Sequence, residues 1–388
     1  MKGALNGVVV IDLSRVLAGP FAAMILADLG ARVIKVESPE TGDDSRSFPP
    51  MINGVSAYFA SINRGKESIA LNLKDEKDKL ILHKLLLKAD VMLENFRPGV
   101  MERLGLGWET LQEKYPRLIY AAASGFGHTG PYSQRAAYDM VVQAMGGIMS
   151  ITGSGNGEPV RVGTSIGDLT AALYTAIGVI SALYSRQETG KGCKVDVSML
   201  DAQVAFLENA IARYLASGEV PKPLGSRHPS IAPFGAFKTS DSHIIIAAGN
   251  DSLFGKLADA IGLSEIKSKD KYLTNPLRVE NAEILKSDLE TALKKQTTAF
   301  WLEIITGSGV PCSPINNVKD VIEDPQVNER NMIIETNDPI AGIIKMAGNP
   351  IKMSGFEDPK TRKCAPALDE NRESILKFVE NCGDTKTG

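Results

Sequence analysis

The chain has 388 residues, 43% hydrophobic and 23% charged, with a formal net charge of −3. That length suits two domains, or one large domain with a smaller companion, around a sizeable core. The near-neutral balance provides no global attraction to nucleic acid or an anionic membrane, so an anionic ligand must be held by local basic groups.

In chain order, GVVVIDLS predicts a strand, RVLAGP a turn, and Pro20 to Leu29 a helix stopped at Gly30, before the strand ARVIKVES. Proline suits a first helical turn and glycine a helix end. A strand–helix–strand of this length predicts a right-handed parallel crossover. ESIALNL and VMLENF read as further strands around the amphipathic helix DEKDKLILHKLLLKAD; Met101–Tyr115 reads as helical and LIYAAASGF as a strand. Such alternation predicts a large Rossmann-like, doubly wound α/β domain. Helices are predicted over Tyr138–Ser150, Asp168–Ser185 and Met199–Ser217. The apolar run Leu169–Leu183 is short of a membrane span and carries Thr and Tyr, so it reads as a buried core helix.

The Pro- and Gly-rich GEVPKPLGSRHPSIAPFGAF reads as a linker. Beyond it, HIIIAAG predicts a strand and LFGKLADAIG a helix, with further helices to about Ile305. GVPCSPINNVKDVIEDPQV then reads as strand, turn and helix, completing a smaller α/β domain. PIKMSGF and DENRESILKFVEN are expected to pack back on the first domain. The expected boundaries are 1–217 for the large domain, 218–233 for the linker, 234–325 for the small domain and 326–388 for the returning segment. Four cysteines (Cys193, Cys312, Cys364, Cys382) stand apart without a CxxC pair, and there are only four histidines. Structural zinc is therefore not expected, and the thiols read as reduced and cytoplasmic. The opening MKGALNGVVVIDLS turns acidic too early for a signal peptide.

Several stretches carry candidate chemistry. Glu37 closes the second strand where a ribose-binding acid would sit, but the turn S-R-V-L-A-G-P lacks G-x-G-x-x-G, so dinucleotide binding is not expected. Arg15 and the helix that follows could receive a phosphorylated ligand, or simply form a crossover turn. NRGK at Asn63–Lys66 adds a second basic group. ENFRPGVMERLG places Asn95, Phe96, Arg97 and Arg103 beyond the carboxyl end of a parallel strand, where open α/β sheets bind ligands. An aromatic beside arginines suits an adenine and its phosphates. SGFGHTGPYSQRAAYD is a glycine-rich loop that admits close backbone approach. Its His128 is expected to be exposed, and His228 to shape a turn.

Asp168 stands at the head of the apolar run behind Gly163 and Gly167. An aspartate there is a common helix cap. A helix N-terminus also favours the carboxylate, and an ionised carboxylate beside glycines can attack an acyl carbon. Position alone leaves both roles open.

Together, VIDLSRVLAGPFAAMILADLGARVIKVE, GDDSR, NRGKESIALNLK, ADVMLENFRPG, SGFGHTGP, IGDLTAAL, GKGCKVDVSMLDA, GSRHPSIAPF and GVPCSPINNV…DPQV, in this order and spacing, span nearly the whole chain. They resemble the family III CoA-transferases, a family that includes formyl-CoA, carnitine-CoA and succinyl-CoA-dependent transferases and the 2-methylacyl-CoA racemases. The resemblance implies an enzyme that moves CoA from an acyl-CoA thioester to a free carboxylic acid. Asp168 would be the catalytic nucleophile, passing through an aspartyl anhydride and an aspartyl-CoA thioester. It implies CoA contacts at Arg15, Val16, Ala18, Leu71, Asn95, Phe96 and Arg103, and a substrate pocket lined by Leu17 and Tyr138. No metal or other cofactor is implied beyond the CoA thioester substrate. Family members are interlocked, ring-like homodimers, so the expected partners are acyl-CoA, a carboxylic acid and a second copy of the chain. No nucleic acid and no membrane are expected, and the expected location is cytoplasmic.

Two departures bear on the substrate. Formyl-CoA transferases have glutamine where Leu17 stands, and their glycine-repeat lid is missing here, so oxalate and formate are expected to be poor substrates. GSRHPSIAPF is closest to the branch acting on small carboxylates and dicarboxylates such as succinate and glutarate-like acids. The alternatives are a racemase and a non-catalytic CoA-binding protein. A racemase needs two acid–base groups about Cα. The family's histidine is replaced by Tyr138, and the region of its glutamate offers Asn250 and Asp251.

Overall fold

A computed structural model describes residues 3–155 and 157–380. Two compact units are present: the described residues of Met1–Met149, Arg161–Gly218 and Pro325–Gly388, and those of Ser150–Val160 and Glu219–Asp324.

The larger unit is built on a six-stranded parallel sheet. Its strands are β1 (Val9–Asp12), β2 (Arg32–Glu37), β3 (Glu67–Ala70), β4 (Val91–Glu94), β5 (Ile119–Ser124) and β6 (Lys194–Ser198), in the spatial order β3-β2-β1-β4-β5-β6. The order reverses between β1 and β4, and ligands bind beyond the strand carboxyl ends at such a switch point. Ile11 is in register with Ile34 on one side and Met92 on the other, all fully buried. Cover on both faces explains why the central strands are mostly apolar, with buried charges such as Asp12 and Lys35 held in ion pairs. On one face, α1 (Ala18–Asp28) contributes Ala22, Ala23 and Leu26 to a core shared with Val10, Val91 and Leu93. On the other, α3 (Glu76–Leu86) contributes Leu82 and Leu85, with α2 (Ala57–Asn63) preceding β3 in the chain. The helix Arg372–Glu380 adds Ile375 and Val379 to that second core. Just before it, Asp369 Oδ1 accepts the Ala70 N–H at 2.8 Å and Asn371 Oδ1 accepts the Ser68 N–H at 2.9 Å. The open edge of β3 is thereby covered by side chains.

Several elements differ from the pattern read in the sequence. β6 lies in GKGCKVDVSML, where Lys194, Asp196 and Ser198 interrupt the apolar run as they do at a half-exposed sheet edge. The predicted Tyr138–Ser150 helix divides into α4 (Asp139–Met145) and a second, four-residue α-helix Ile148–Ile151, because Gly147 adopts φ 84°. α5 runs from Ile166 to Thr189. The Met199–Ser217 helix breaks at Glu208 (φ 45°) into α6 (Met199–Phe206) and the helix Asn209–Ser217.

α5 is 24 residues long and apolar enough to cross a membrane by length and composition alone. It is not buried all round, as its apolar run suggests. Ala172, Val179 and Ala182 pack against α1 and the sheet, their small size allowing close approach. Its opposite face leaves Leu173, Tyr174, Ile177 and Tyr184 exposed, Tyr184 to 71%.

The smaller unit holds an antiparallel sheet of β7 (Phe234–Lys238), β8 (His243–Ala247) and β9 (Cys312–Pro314), ordered β9-β8-β7. Ile244 and Ile246 meet Phe254, Leu257, Leu289 and Trp301 from the surrounding helices.

Candidate active site

The turn after β1 is clamped from several directions. Asp12 is fully buried; its Oδ1 accepts the Ser14 N–H at 3.0 Å and also the Ser14 hydroxyl, while its Oδ2 accepts from Lys66 Nζ at 2.8 Å. Lys66, the lysine of NRGK, also donates to Pro20 O and Asn63 Oδ1, so this basic group serves the interior. Burial lowers its pKa to about 8. Asn95 clasps Arg15 through both backbone groups: its Oδ1 accepts Arg15 N–H at 2.9 Å and its Nδ2 donates to Arg15 O at 2.8 Å. The Arg15 guanidinium lies 5.8 Å from the Phe96 ring centroid and pairs with Asp44 at 3.2 Å. Residues 80 positions apart in sequence therefore form one platform at the switch point.

Asp168 is the third residue of α5. It does not cap the helix. Asp139 does so from α4: its Oδ1 accepts the Gly167 N–H at 2.8 Å, and its Oδ2 accepts from Gln143 Nε2 at 2.8 Å. A Cβ at Gly167 would lie 2.7 Å from Val142 Cγ2 and 3.0 Å from that Asp139 oxygen, so the cap contact requires glycine. Among the described residues, the Asp168 carboxyl has no hydrogen-bond partner. Burial, and then the nearby Asp139 charge, push its pKa up to about 7. Tyr58 on α2 feels the same charges: burial first, then Asp168, push its phenol to about 12. Asp139 and Tyr58 were not singled out in the sequence. Asp139 follows Tyr138 in the AAYD segment, but its role depends on the packing of α4 against α5.

One cleft is lined by Arg15, Val16, Leu17, Ala18, Asn95, Phe96, Tyr138 and Asp168, together with Arg97, Arg135, Ser124 and Gly125. A second cleft shares Arg15, Asp44 and Phe96 with it and reaches Leu71, Lys74 and Leu104. Arg103 is exposed and lines neither cleft, although its neighbour Leu104 lines the second. Among the residues lining the two clefts are the Asp168 carboxyl, three arginines (Arg15, Arg97, Arg135) and the rings of Phe96 and Tyr138, a set able to hold an anionic ligand and to attack an electrophilic carbon.

Other candidates have structural employment. Glu37 takes both ends of the Arg46 guanidinium at 2.7 Å and the Ser68 hydroxyl at 2.6 Å, leaving no free edge for a ribose. His128 is not exposed as expected. Its side chain is 7% accessible, with Nε2 3.6 Å from Glu94 and Nδ1 3.0 Å from Lys194 Nζ. Burial lowers its pKa and raises that of Glu94 to about 7. His228 Nδ1 accepts the Ser230 N–H at 3.1 Å and so shapes its turn. Asn250 caps the helix Asp251–Ala260, and Asp251 pairs with Arg278 at 2.5 Å. Neither is a free base.

The model of CoA-transferase family III matches residues 5–372. Acetyl-CoA:oxalate CoA-transferase of Acetobacter aceti is 48% identical over 97% of this chain and 96% of its own length. Human succinyl-CoA:glutarate CoA-transferase is 42% identical over 99% of this chain and 88% of its own. A CAIB/BAIF family protein from Brucella suis has a crystal structure matching with a TM-score of 0.87 and 40% identity, over 98% of this chain and 100% of that one. A match to the family model over nearly the whole length, relatives of this identity and the shared parallel-sheet fold together establish that the chain belongs to CoA-transferase family III.

Proposed function

We propose that this enzyme transfers CoA from an acyl-CoA to a small free carboxylic acid, with Asp168 as the covalent relay. The observation that carries the reading is a carboxyl without hydrogen-bond partners among the described residues, held at a helix start in the cleft that contains Arg15, Asn95 and Phe96. An Asp168 oxygen attacks the thioester carbon, the C–S bond breaks, and CoA leaves as thiolate. The thiolate attacks the aspartyl carbonyl of the mixed anhydride, releasing the donor's carboxylate and leaving aspartyl-CoA. The acceptor carboxylate attacks that thioester and again expels thiolate. Finally the thiolate attacks the acceptor's acyl carbon and restores the Asp168 carboxylate. One difficult exchange becomes a series of easier acyl transfers. Each step exchanges oxygen and sulfur at an acyl carbon, so the sequence needs no metal or redox cofactor. Backbone N–H groups of the glycine-rich Ser124–Gly127 segment are the candidates to hold the oxyanions.

In this reading the portion 1–217 holds CoA, with Arg15, Val16, Ala18, Leu71, Asn95, Phe96 and Arg103 as its contacts, and Leu17 and Tyr138 border the acyl group. Residues 218–233 link it to the small domain 234–325, and 326–388 belongs with the first. A relative named for oxalate returns oxalate to the acceptors to be tried, against the expectation drawn from Leu17, beside succinate and glutarate. The exposed apolar face of α5, with Leu173, Ile177 and Tyr184, suits a second copy of the chain rather than lipid, and a cytoplasmic homodimer is the proposed assembly. Neither nucleic acid nor membrane has a role in it.

The test is chemical. Given an acyl-CoA without acceptor, the enzyme should accumulate a covalent adduct. Hydroxylamine should convert it to a hydroxamate on the peptide containing GDLTAAL, and borohydride should reduce an aspartyl thioester at the same residue. A racemase or a mere CoA binder leaves Asp168 unlabelled. Absence of donor-dependent labelling under turnover conditions removes the covalent mechanism.

A further inference from the structure

Val16 is a β-branched residue with φ 67°, a left-handed conformation that such side chains strongly disfavour. It lies between Arg15 and Leu17 on the wall of the cleft that holds Asp168. A strained residue persists only where its surroundings over-determine it. The Asp43 carboxyl, on the loop after β2, supplies that constraint: its Oδ1 accepts the Val16 N–H at 3.0 Å. The same oxygen takes the Ser45 N–H at 2.9 Å and the Ser45 hydroxyl at 2.7 Å. Its other oxygen lies 2.8 Å from Lys35 Nζ, both side chains 1% exposed. Lys35 in turn donates to Ser14 O at 2.7 Å, and Glu37 accepts the Asp43 N–H at 3.0 Å. The turn is thus held at Ser14 and Val16 by one buried lysine–aspartate pair.

We infer that Asp43, anchored by Lys35, is a positioning residue that holds Val16 in its left-handed conformation and thereby sets the cleft wall beside Asp168. The first aspartate of GDDSR then acts inside the protein, while the second, Asp44, pairs with Arg15 at the surface. The ionised state of Asp43 is the one the pair requires, and Lys35 together with the Ser45 donors brings its pKa down to about 2 against the opposing effect of burial. The consequence for CoA rests on the function proposed above; the backbone coupling does not.

The experiment is a double-mutant cycle with Asp43→Ala and Val16→Gly in the full chain. Glycine adopts positive φ without penalty and has no need of the Asp43 constraint. Thermal unfolding without ligand reads the coupling directly. Asp43→Ala is expected to lower the midpoint at least twice as much with Val16 present as in the V16G background. Calorimetry with CoA reads the consequence. Asp43→Ala should weaken binding about tenfold, the scale of one lost charge-assisted hydrogen bond, and V16G should recover most of that loss. Equal losses in both backgrounds overturn the inference, as does a D43A protein with unchanged CoA affinity. If D43A does not fold with Val16 present, its folding in the V16G background supports the inference, because glycine takes the left-handed conformation unaided. Failure of D43A to fold in both backgrounds would give Asp43 a core role alone and overturn it. Wild-type protein that binds no CoA refutes the functional reading, and the unfolding cycle still decides the inference.

Discussion

Replacing Asp168 by asparagine is expected to stabilise the ligand-free enzyme while abolishing its chemistry. The carboxyl is partly buried, has no hydrogen-bond donor among the described residues, and sits near Asp139, so its folded pKa is about 7 against the ordinary 3.8. Because the folded value is raised, the native state binds more protons than the unfolded state between these values, and stability falls as pH rises through that window. The penalty is absent below the unfolded pKa and complete above the folded one. At 1.36 kcal/mol per unit, a shift of this size corresponds to at most ~4 kcal/mol, and partial solvent access reduces it to roughly 2–4 kcal/mol. Asparagine has nearly the shape of the protonated acid and never carries the charge. Urea unfolding of wild type and D168N should therefore give similar stabilities at about pH 4 and a gap of about 2–4 kcal/mol in favour of D168N at about pH 8. A variant no more stable than wild type at the higher pH, or a gap that does not close on acidification, would refute the environment assigned to this residue.

In the proposed mechanism Asp168 must be ionised to attack, so kcat/KM for transfer should rise with pH and level off above about 7; a flat profile across that range excludes Asp168 as the group in control. Asp139→Ala should cost about 1 kcal/mol through loss of the α5 cap. It should also move the acid limb to lower pH, because a like charge near Asp168 is gone; an unmoved limb in a folded variant would separate the two residues electrostatically. Arg103→Ala should weaken CoA-ester binding more than it slows the bound reaction, since a contact to the nucleotide acts equally in ground and transition states. Acyl-pantetheine kinetics should be nearly indifferent to that substitution, and equal losses with both donors would remove Arg103 from the CoA contacts.

Much of the sheet was legible because parallel strands covered on both faces are rich in apolar, often β-branched residues. VVID, VMLE and IYAAAS show this, as does RVIKVE around Lys35, whose charge is paired inside the protein, and all are strands. β6 was not legible, because an edge strand keeps charged residues on its open side. Long helices were over-read where one residue takes positive φ: Gly147 and Glu208 each break a pattern whose hydrophobic period continues across the break. Within the site, Asp168 was prominent as a lone acid before an apolar run. Asp139 was not, since a cap supplied from another helix leaves no mark at a fixed spacing. His128 between glycines looks like a surface loop residue until β6 brings Lys194 beside it.

The residue order alone determined the alternation of strands and helices, and the motif succession alone was enough to indicate the family. Both depend on local or linear information: periodicity, turn residues, and short segments in a given order. The state of Asp168 was decided only in three dimensions. Near a helix start it could cap or react, and what separates the two is whether another group already satisfies the backbone. Asp139, 28 positions away from Gly167, does so, leaving Asp168 without a donor among the described residues and with a raised pKa. The same holds for Val16, whose strained backbone is held by an aspartate 27 positions distant and a buried lysine. Desolvation and charge pairing depend on distances through space, and those distances exist only once the chain has folded.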